Sequence, residues 1–477
     1  MEGTNNKLYQ WRDCLQMDIA EVQDLYARYI NKRQVDMVSS FGFGRALVDY
    51  SEGMYIYTKD GRKILDFTGG QGVLSHGHNH PRILKARLEF QAEKRMEVHK
   101  HFFSQYMAVL AHNIAQLMPA DLDVSYFCNS GAEAVEGAVK LAYKYFDGKK
   151  KYILHSDISF HGKLLVTGGL GGSPELDYPF PTIPNVESFK FNDIQSVTEL
   201  VARLKRDDGE SDVYAIILEP FNASSLSQCS TEFLLELRQI CNREKIVLIF
   251  DEIYTGWAKT GELFYFFKHD VVPDIVTFSK SFGGGKSSIS GYTTRTPISK
   301  GAYGSQKDAV MHSTTYNGFG EETVTAIEAI NVMIEEDYVG KSKHIYKVLN
   351  AGLNGLKEKY PDLITEVNGS GSLNGIVLNK DIYPALKAAL NFVPGDLFKD
   401  DGFIGKLITA AVMSDLFNSH GILTSFGENK NITLFVSPSL IVSDEEIKIF
   451  VDALDNTLSK GKLKLLVGFA TQKFLKK

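Results

Sequence analysis

Residues 246–251 read Ile-Val-Leu-Ile-Phe-Asp, five apolar residues followed by an acidic one. A short apolar run of this kind is typical of a strand that is buried on both faces of a sheet. Similar runs, separated by stretches with helical patterns, occur at Val124–Cys128, Tyr152–Leu154, Val213–Leu218 and Ile275–Phe278. Buried strands that alternate with helices predict an α/β fold, with a mostly parallel central sheet covered by helices on both faces.

Polar side chains follow several of these predicted strands, at the point where each strand ends. They are Asn129, Glu219, Asp251 and the pair Ser279-Lys280. In parallel sheets, ligands bind in a crevice beyond the carboxyl ends of the strands. We therefore expect these groups, which are distant in sequence, to converge on one site.

The two flanks of the chain have a different pattern. An amphipathic helix is predicted near residues 18–32, and a small β meander is predicted around residues 46–50 and 54–57, with a turn at 59–61. After about residue 325, long helical patterns surround a Gly/Ser-rich turn and further strands. We expect residues 1–70 and 326–477 to build together a smaller α+β domain beside a large domain at 71–325.

Composition narrows the class of protein. The 477 residues are 44% hydrophobic and 23% charged, with a net charge of −6 and both signs interspersed, which gives no reason to expect nucleic acid or a membrane as partner. No signal peptide or membrane span is recognisable in the sequence. The four cysteines are scattered, which favours a reducing compartment over a disulfide framework. A cytoplasmic protein is the expectation.

Lys280 and Asp251 are the strongest candidates for chemistry. Lys280 lies between a predicted strand and a glycine-rich turn, and a partly desolvated lysine there has a lowered pKa suited to Schiff-base formation. Asp251 stands 29 residues earlier. A lysine Schiff base with an aspartate for a pyridinium nitrogen is the protein half of pyridoxal phosphate chemistry. Taken singly, Lys280 could be a solvated loop residue, and Asp251 could pair with a nearby lysine.

A phosphate site is predicted at Ser130-Gly131-Ala132, where a strand leads into a helix. A helix N-terminus offers free N–H groups and the positive end of the helix dipole. Ser130 could equally be a plain N-cap that forms a capping box with Glu133. Phe160 could stack on a planar cofactor or lie in the core, and Thr315 could donate to a phosphate or belong to an ordinary Ser/Thr loop.

Two further patterns are given little weight. His76, His78 and His80 alternate in a loop punctuated by Gly and Pro, with no cysteine or carboxylate at ligand spacing. Turn formation explains that loop better than a metal site, and no metal is predicted. The glycine runs at 42–44 and 168–172 lack the strand–loop–helix context of a nucleotide site.

Taken in order, the segments resemble the class III aminotransferases (the ornithine/4-aminobutyrate type), which are fold-type I pyridoxal phosphate enzymes. The motifs that carry the resemblance are Asn-Ser-Gly-Ala-Glu-Ala at 129–134, Phe-His-Gly at 160–162, Glu-Pro at 219–220, Asp-Glu-x-x-Thr-Gly at 251–256, Ser-Lys at 279–280 and His-x-x-Thr-Tyr at 312–316. Similarity extends from about residue 66 to residue 440. Chance agreement of all six motifs in this order is implausible.

The resemblance implies a role for each candidate residue. Lys280 would form the Schiff base with pyridoxal 5'-phosphate and move a proton between substrate and cofactor. Asp251 would pair with the pyridinium nitrogen, and Phe160 would stack on the ring with His161 beside it. The phosphate would be held by Ser130, Gly131 and Ala132, and by Thr315 from the other subunit of a homodimer with shared active sites. Glu219 would belong to the polar shell.

Four positions depart from the family pattern, and they concern the substrate. Phe435 stands where many members place an arginine that grips a substrate carboxylate, and Ser224 replaces a gate glutamate. Lys163 replaces an arginine, and Tyr254 replaces a glutamine. Loss of a bidentate charged contact weakens carboxylate recognition. The hypothesis is that the amino acceptor is a less polar aldehyde or ketone, free or delivered on a carrier, rather than a standard 2-oxo acid.

The sequence thus predicts an aminotransferase that moves an amino group between small-molecule amine and carbonyl substrates by a ping-pong mechanism. An aminomutase, a racemase or a lyase on the same fold would keep Lys280 and Asp251 as well. A non-catalytic regulatory homologue is an alternative of another class, although the intact pair of Lys280 and Asp251 argues against it. The donor, the acceptor and the stereochemistry are not determined by these residues.

Overall fold

The computed structural model describes residues 8–40, 42–172, 180–379, 401–429 and 432–474. Its centre is a seven-stranded sheet. In chain order the strands are β1 (Leu122–Cys128), β2 (Tyr152–Ser156), β3 (Val186–Phe189), β4 (Val213–Leu218), β5 (Val247–Asp251), β6 (Ile275–Phe278) and β7 (Ser290–Arg295). Each apolar run singled out in the sequence lies in one of these strands.

The order of the strands across the sheet is β1-β7-β6-β5-β4-β2-β3. β7 is antiparallel to both of its neighbours, and the remaining pairs are parallel. The register pairs Asp251 at the end of β5 with Thr277 in β6. The predicted mostly parallel sheet is confirmed, and the edge strand β3 and the antiparallel β7 are the two strands that the sequence runs did not include.

Both faces of the central sheet are buried. Val247 and Ile249 of β5 pack in one apolar cluster, with the helix Gly131–Tyr145, whereas Leu248 and Phe250 pack in another. Successive side chains of a strand point to opposite faces, so a strand covered on both sides is apolar throughout. This explains why β5 reads as a continuous apolar run.

The N- and C-terminal flanks share a sheet. Strands Val48–Glu52, Tyr55–Thr58 and Lys63–Asp66 form an antiparallel meander, and Ile422–Leu423 pairs in parallel with Lys63–Asp66. A second small sheet contains Ile364–Ser370, Leu373–Leu378, Ile432–Val436 and Ser425–Glu428, in that spatial order. The predicted small α+β domain built from both flanks is confirmed. Its boundaries at residues 70 and 325 stay predictions.

The helices cover the central sheet and complete the flanks. They are Ile19–Tyr26, Lys32–Ser40, Gly69–Gly72, Pro81–Ala92, Gln105–Leu117, Gly131–Tyr145, Leu165–Gly169, Ile194–Arg203, Thr231–Glu244, Thr296–Tyr303, Gly320–Glu335, Tyr338–Lys359, Asp401–His420, Asp444–Leu458 and Gly461–Phe474. The helix predicted near residues 18–32 is present and continues to Ser40 through a π-helical turn at Ala27–Asn31. Among the helices described, none is long and apolar enough to cross a membrane.

Candidate active site

Lys280 follows β6 after one residue, Ser279, and opens a short 3₁₀ helix, Lys280–Gly283. Its φ of +48° lies in the left-handed region that a lysine rarely adopts. Strained backbone of this kind is concentrated at functional sites, where the surroundings hold it. The turn directs the half-buried side chain so that Nζ lies 3.6 Å from the centroid of the Tyr254 ring.

Burial lowers the pKa of Lys280 to about 8, and the charges of Asp251 and Glu219 oppose that shift. A lysine reacts as a nucleophile only in its uncharged form. Because its pKa is lowered, Lys280 has a much larger uncharged fraction near neutral pH than an exposed lysine has.

Asp251 ends β5 and is 3% exposed. One carboxylate oxygen, Oδ1, accepts hydrogen bonds from the Ile253 N–H at 3.0 Å and from Thr277 Oγ1 at 3.2 Å. The other, Oδ2, lies 2.7 Å from His161 Nδ1. The carboxylate is therefore held in place from two adjacent strands and from the His161 loop, and it lines the cavity that Lys280 also lines.

His161 and Glu219 extend this hydrogen-bonded network. Burial disfavours the charged imidazole of His161, but the hydrogen bond to Asp251 and the nearby carboxylates raise its pKa overall. Glu219 follows β4, and its Oε2 accepts from the Phe160 N–H at 2.9 Å and from Asn222 Nδ2 at 2.5 Å. Burial, reinforced by the charge of Asp251, raises the pKa of Glu219 to about 7. Two buried carboxylates and a histidine thus share one polar network.

The helix Gly131–Tyr145 begins at the edge of the same cavity, which Gly131 and Ala132 line. The first N–H groups of a helix have no intrahelical acceptor and favour an anion. Ser130 is engaged locally, since its hydroxyl donates to Glu133 Oε2 at 3.1 Å and accepts from the Glu133 N–H at 3.3 Å. Ser130 is therefore an N-cap, but the capping box is not formed, because Glu133 Oε2 accepts from the Asn129 N–H at 3.0 Å and not from the Ser130 N–H. The Gly131-Ala132 segment lines the cavity.

The cavity has a volume of about 430 Å³. The predicted residues that line it are Gly131, Ala132, Phe160, His161, Glu219, Asp251 and Lys280. The predicted convergence of the strand ends therefore occurs for Glu219, Asp251 and Lys280. Ser130 lies one residue outside the lining.

Two predicted positions lie away from the cavity of their own chain. Thr315 is exposed on a turn before the helix Gly320–Glu335, and Lys163 is exposed on the loop after His161. Neither is among the residues that line the cavity. The Lys163 side chain is therefore not part of the cavity lining.

The remaining side of the lining is aromatic and apolar. Phe435, in the strand Ile432–Val436, is 4% exposed, and its ring meets Tyr254 edge-on with centroids 5.7 Å apart. Phe435 also packs in a cluster with Phe221 and Tyr265. The position at which the family resemblance leads us to expect an arginine is therefore filled by a buried aromatic ring.

Sequence reasoning missed five lining residues, which are Gln71, Ala223, Ile253, Phe426 and Gly427. Gln71 has a φ of +60° and lies in the Gly-rich segment 69–72. The cluster of glycines was the sequence feature that could have indicated an unusual turn at this position. The other four had no distinctive motif. Phe426 and Gly427 belong to the strand Ser425–Glu428, which pairs with Ile432–Val436 in the C-terminal flank. Ala223 follows the strand Phe221–Asn222, and Ile253 follows β5.

The residues present fit the pyridoxal phosphate that the resemblance implies. A nucleophilic amine, a buried carboxylate and a helix N-terminus face one cavity, as the aldehyde, ring nitrogen and phosphate of that molecule require. The cavity is closely packed at the helix N-terminus, because a Cβ on Gly162 would lie 2.8 Å from the Cβ of Ala132. His161 Nε2 is buried without a hydrogen-bond partner in the described part of the chain.

The alternating histidines at 76–80 do not form a metal site. His76 Nε2 lies 2.9 Å from the carbonyl oxygen of Ala329, and His78 Nε2 lies 2.9 Å from Asp66 Oδ2. Over the residues that the structure describes, no group of His, Cys, Asp and Glu side chains could hold a metal ion. The loop therefore tethers neighbouring elements.

Comparison with known proteins places the chain in a family. The model of the family "Aminotransferase class-III" matches residues 42–458. An acetylornithine aminotransferase from Methanocaldococcus jannaschii is 31% identical over 427 residues, which are 86% of this chain and 93% of that protein. A succinylornithine transaminase from Yersinia enterocolitica is 30% identical over 417 residues, or 84% of this chain and 89% of its own length.

Solved structures share the fold. The ornithine aminotransferase from Toxoplasma gondii superposes with a TM-score of 0.78 at 21% identity, covering 96% of this chain and 99% of that one. An (S)-enantioselective omega-transaminase from Thermomicrobium roseum gives a TM-score of 0.78 at 20% identity, covering 95% and 99%. The order of the strands and the positions of Lys280 and Asp251 near strand ends are consistent with the family match. The chain therefore belongs to the class III aminotransferases, which are pyridoxal phosphate-dependent enzymes.

Proposed function

We propose that this aminotransferase passes its amino group to an aldehyde or ketone that lacks the carboxylate of a standard 2-oxo acid. The observation that carries the proposal is the lining of the cavity. Among the described residues it contains no arginine, and its acidic side chains are Asp251 and Glu219. A substrate carboxylate is normally met by a guanidinium, which offers two parallel hydrogen bonds. Without that partner, the carboxylate would lose hydration and face like charges.

The aromatic side of the lining supports the same proposal. Phe435 and Tyr254 offer apolar surface where a charged group would have to be buried unpaired. Such a surface favours the carbon chain of a less polar carbonyl compound, either free or presented on a carrier. The names of the curated relatives point to acetylornithine and succinylornithine as their substrates. The substituted lining favours a different acceptor for this chain.

Lys280 is the nucleophile and the proton carrier of the proposed reaction. Its Nζ binds the cofactor and moves a proton to and from the substrate carbon that bears the amino group. When bound, pyridoxal phosphate supplies an electron sink for the negative charge that develops on that carbon. The lowered pKa of Lys280 keeps its amine available for both tasks near neutral pH.

Asp251 and its neighbours hold the cofactor in this proposal. Asp251 would pair with the ring nitrogen, and His161 orients that carboxylate through the hydrogen bond at Oδ2. Phe160 would lie against the ring, and Glu219 keeps the Phe160 backbone in position. The helix N-terminus formed by Ser130, Gly131 and Ala132 would hold the phosphate.

The amino group is transferred in two half-reactions that use the same cavity. Both half-reactions would take place at one amine, Lys280, which lines a cavity of about 430 Å³. This supports a ping-pong mechanism, in which the donor product would leave before the acceptor enters and bound pyridoxal phosphate would supply the carrier for the amino group.

A homodimer with shared active sites is part of the proposal. Thr315 does not line its own cavity and is exposed. It lies in a loop that the Lys100 amine holds through hydrogen bonds to Thr314 and Asn317. Large apolar side chains are exposed around that contact; they are Phe102, Phe103, Val310, Met311 and Tyr316. A second copy that covers this patch would bring Thr315 to the phosphate of the neighbouring site.

A cytoplasmic location is proposed as well. Its support is that Cys14, Cys128, Cys229 and Cys241 are free thiols. Three of them are buried, and burial raises the pKa of each buried thiol, which keeps these side chains in the unreactive protonated form. Free thiols are typical of reducing compartments.

A half-reaction screen tests the proposed function. The holoenzyme is mixed with amines in turn, and absorption reports conversion of the bound cofactor from its aldehyde to its amine form. The amine form is then mixed with 2-oxoglutarate, with aliphatic aldehydes or with ketones. We expect aldehydes or ketones to restore the aldehyde form fastest. Fastest return with 2-oxoglutarate would contradict the proposed acceptor.

The same screen separates the other reactions of the fold. Release of ammonia or phosphate identifies a lyase, and isomerised product without net transfer identifies an aminomutase or racemase. The Lys280→Ala variant is the control for chemistry at the amine. Failure of borohydride to fix pyridoxal phosphate onto Lys280 would leave only a non-catalytic homologue.

A further inference from the structure

The segment around Ser224 forms a small hydrogen-bonded hairpin at the cavity. Strands Phe221–Asn222 and Ser227–Gln228 pair with each other, and Ser224 lies in the turn between them. Ser224 is partly exposed and lines the cavity together with Gly427. A Cβ on Gly427 would lie 2.1 Å from the Ser224 carbonyl oxygen. Because Gly427 has no side chain, the strand Ser425–Glu428 can approach the turn at Ser224 closely.

The amide of Asn222 has a defined orientation. Its Oδ1 accepts from the Ser225 N–H at 2.9 Å, and a backbone N–H can only donate. Its Nδ2 donates to Glu219 Oε2 at 2.5 Å, and that oxygen also accepts from the Phe160 N–H. The Ser225 N–H and the Glu219 carboxylate both require the same assignment of oxygen and nitrogen in the Asn222 amide. The oxygen of this fully buried side chain therefore faces Ser224 and Ser225.

This orientation decides which way the Ser224 hydroxyl points its hydrogen. Ser224 Oγ lies 3.0 Å from Asn222 Oδ1, an atom that can only accept, so the hydroxyl donates to it. Asn429 Nδ2, which can only donate, lies 3.3 Å from the same Oγ. The single hydrogen of Ser224 is thereby used within the protein. The remaining lone pair of Oγ can only accept a hydrogen bond.

We propose that Ser224 is a specificity-determining residue that selects substrates bearing a hydrogen-bond donor, a hydroxyl or an amino group, on the carbon chain. A carboxylate has no hydrogen to give to the Ser224 oxygen, and in the same cavity it would meet the carboxylates of Asp251 and Glu219. A hydroxyl or an ammonium group has that hydrogen. The inference rests on the proposed function and names the substrate class for that site.

Amines of matched length test this inference. The holoenzyme is titrated with butylamine, 4-aminobutan-1-ol, 1,4-diaminobutane and 4-aminobutanoate, and the concentration dependence of the half-reaction separates apparent affinity from the limiting rate. Shorter and longer series are included, and the comparison is made at the length that binds best. We expect the hydroxyl- and amino-terminated compounds to bind more tightly than the alkyl and carboxylate ones.

Substitution of Ser224 gives the decisive comparison. Ser224→Ala is expected to reduce the preference for 4-aminobutan-1-ol over butylamine by about fivefold, the equivalent of one hydrogen bond. The effect is expected in apparent affinity and not in the limiting rate. Ser227→Ala is the matched control, because Ser227 belongs to the same hairpin but does not line the cavity. It should keep the preference of the unsubstituted enzyme.

Two results would overturn the inference. One is an unchanged preference in Ser224→Ala, and the other is binding of 4-aminobutanoate as tight as that of 4-aminobutan-1-ol. Failure of the proposed function is a different result, in which 2-oxoglutarate restores the aldehyde form of the cofactor fastest or no amine alters the absorption of the bound cofactor. Calorimetric titration of the holoenzyme with the same four compounds would then still compare hydroxyl with carboxylate.

Discussion

Two groups of side chains that line the cavity are held by different kinds of contact. The acidic group consists of Asp251, Glu219 and His161, and the aromatic group consists of Tyr254 and Phe435. The acidic group is held by hydrogen bonds such as the one of 2.7 Å between His161 and Asp251. The aromatic group is held by ring packing at 5.7 Å between centroids. Hydrogen bonds fix direction and distance, whereas ring packing fixes mainly shape and volume.

Lys280 belongs to both groups. Its amine lies against the Tyr254 ring, and the carboxylates Asp251 and Glu219 influence its pKa. In the proposed function, the acidic group governs cofactor chemistry and the aromatic group governs which substrate reaches the amine. A substitution in one group should leave the signature of the other group intact, except for the protonation of Lys280, which both groups influence. The predictions below follow from this division.

The largest effect is expected from Lys280→Ala. Without the nucleophile, we expect amino transfer to fall at least about a thousandfold. Lys300→Ala, at an exposed position in the helix Thr296–Tyr303, is the control and should keep activity. Single-turnover absorption measurements check both variants. Near-normal transfer in Lys280→Ala would show that a different amine carries the chemistry.

Asp251→Asn tests the acidic group. The amide keeps the size of the side chain but loses its charge, so the electron sink is weakened and transfer should fall by about a hundredfold. The apparent affinity for amines should change little, because the aromatic group is untouched. Asp147→Asn, in an exposed ion pair with Lys144, is the matched control. An equal loss of apparent affinity for amines and of transfer rate would contradict the separate roles of the two groups.

Phe435→Ala tests the aromatic group. Phe435 is 4% exposed, and its truncation leaves a cavity that should cost about 3 kcal/mol or more of the free energy of unfolding. Phe426 lines the same cavity but is 38% exposed, so Phe426→Ala should cost about 1 kcal/mol or less. Urea unfolding of the holoenzyme measures both. Similar costs at the two positions would contradict the packing role of Phe435.

The pH dependence of Lys280 tests the place where the groups meet. Only the uncharged amine reacts, and its fraction rises as pH rises through the pKa, so the rate of reaction with added pyridoxal phosphate should rise through a midpoint of about 8. An exposed lysine would give a midpoint more than two pH units higher, at about 10.4. A midpoint at that value would show that Lys280 is not desolvated.

Tyr254→Leu gives the smallest expected change. The aromatic ring 3.6 Å from Lys280 Nζ stabilises the charged amine, so its loss should move the same midpoint to lower pH, by about half a pH unit. Tyr50→Leu, at an exposed position in the strand Val48–Glu52, is the control and should leave the midpoint unchanged. A shift to higher pH would mean that burial by Tyr254 outweighs its attraction for the cation.

The strand runs and strand-end residues were predictable because buried parallel strands impose a continuous apolar pattern and end at one edge of the sheet. Lys280, Asp251 and Glu219 were located in this way. The hairpin at Phe221–Gln228 was not, since its two short strands carry no periodic pattern. Gly427 and Phe426 were missed because their place depends on the pairing of strands in the C-terminal flank.

The chain's own pattern of residues was sufficient for the α/β class, the lysine and aspartate of the site, and the family to which they belong. These features depend on local order along the chain: apolar runs, the residues that end them and the motifs that follow. The tertiary structure alone decided that Phe435 packs against Tyr254, that Thr315 faces away from its own cavity, and that the Ser224 hydroxyl donates inward. The contact between Phe435 and Tyr254 joins groups far apart in sequence, and it exists only once the sheets have formed. The Ser224 hydroxyl is oriented by its near neighbour Asn222 and by the distant Asn429, whose positions the hairpin and the C-terminal flank fix.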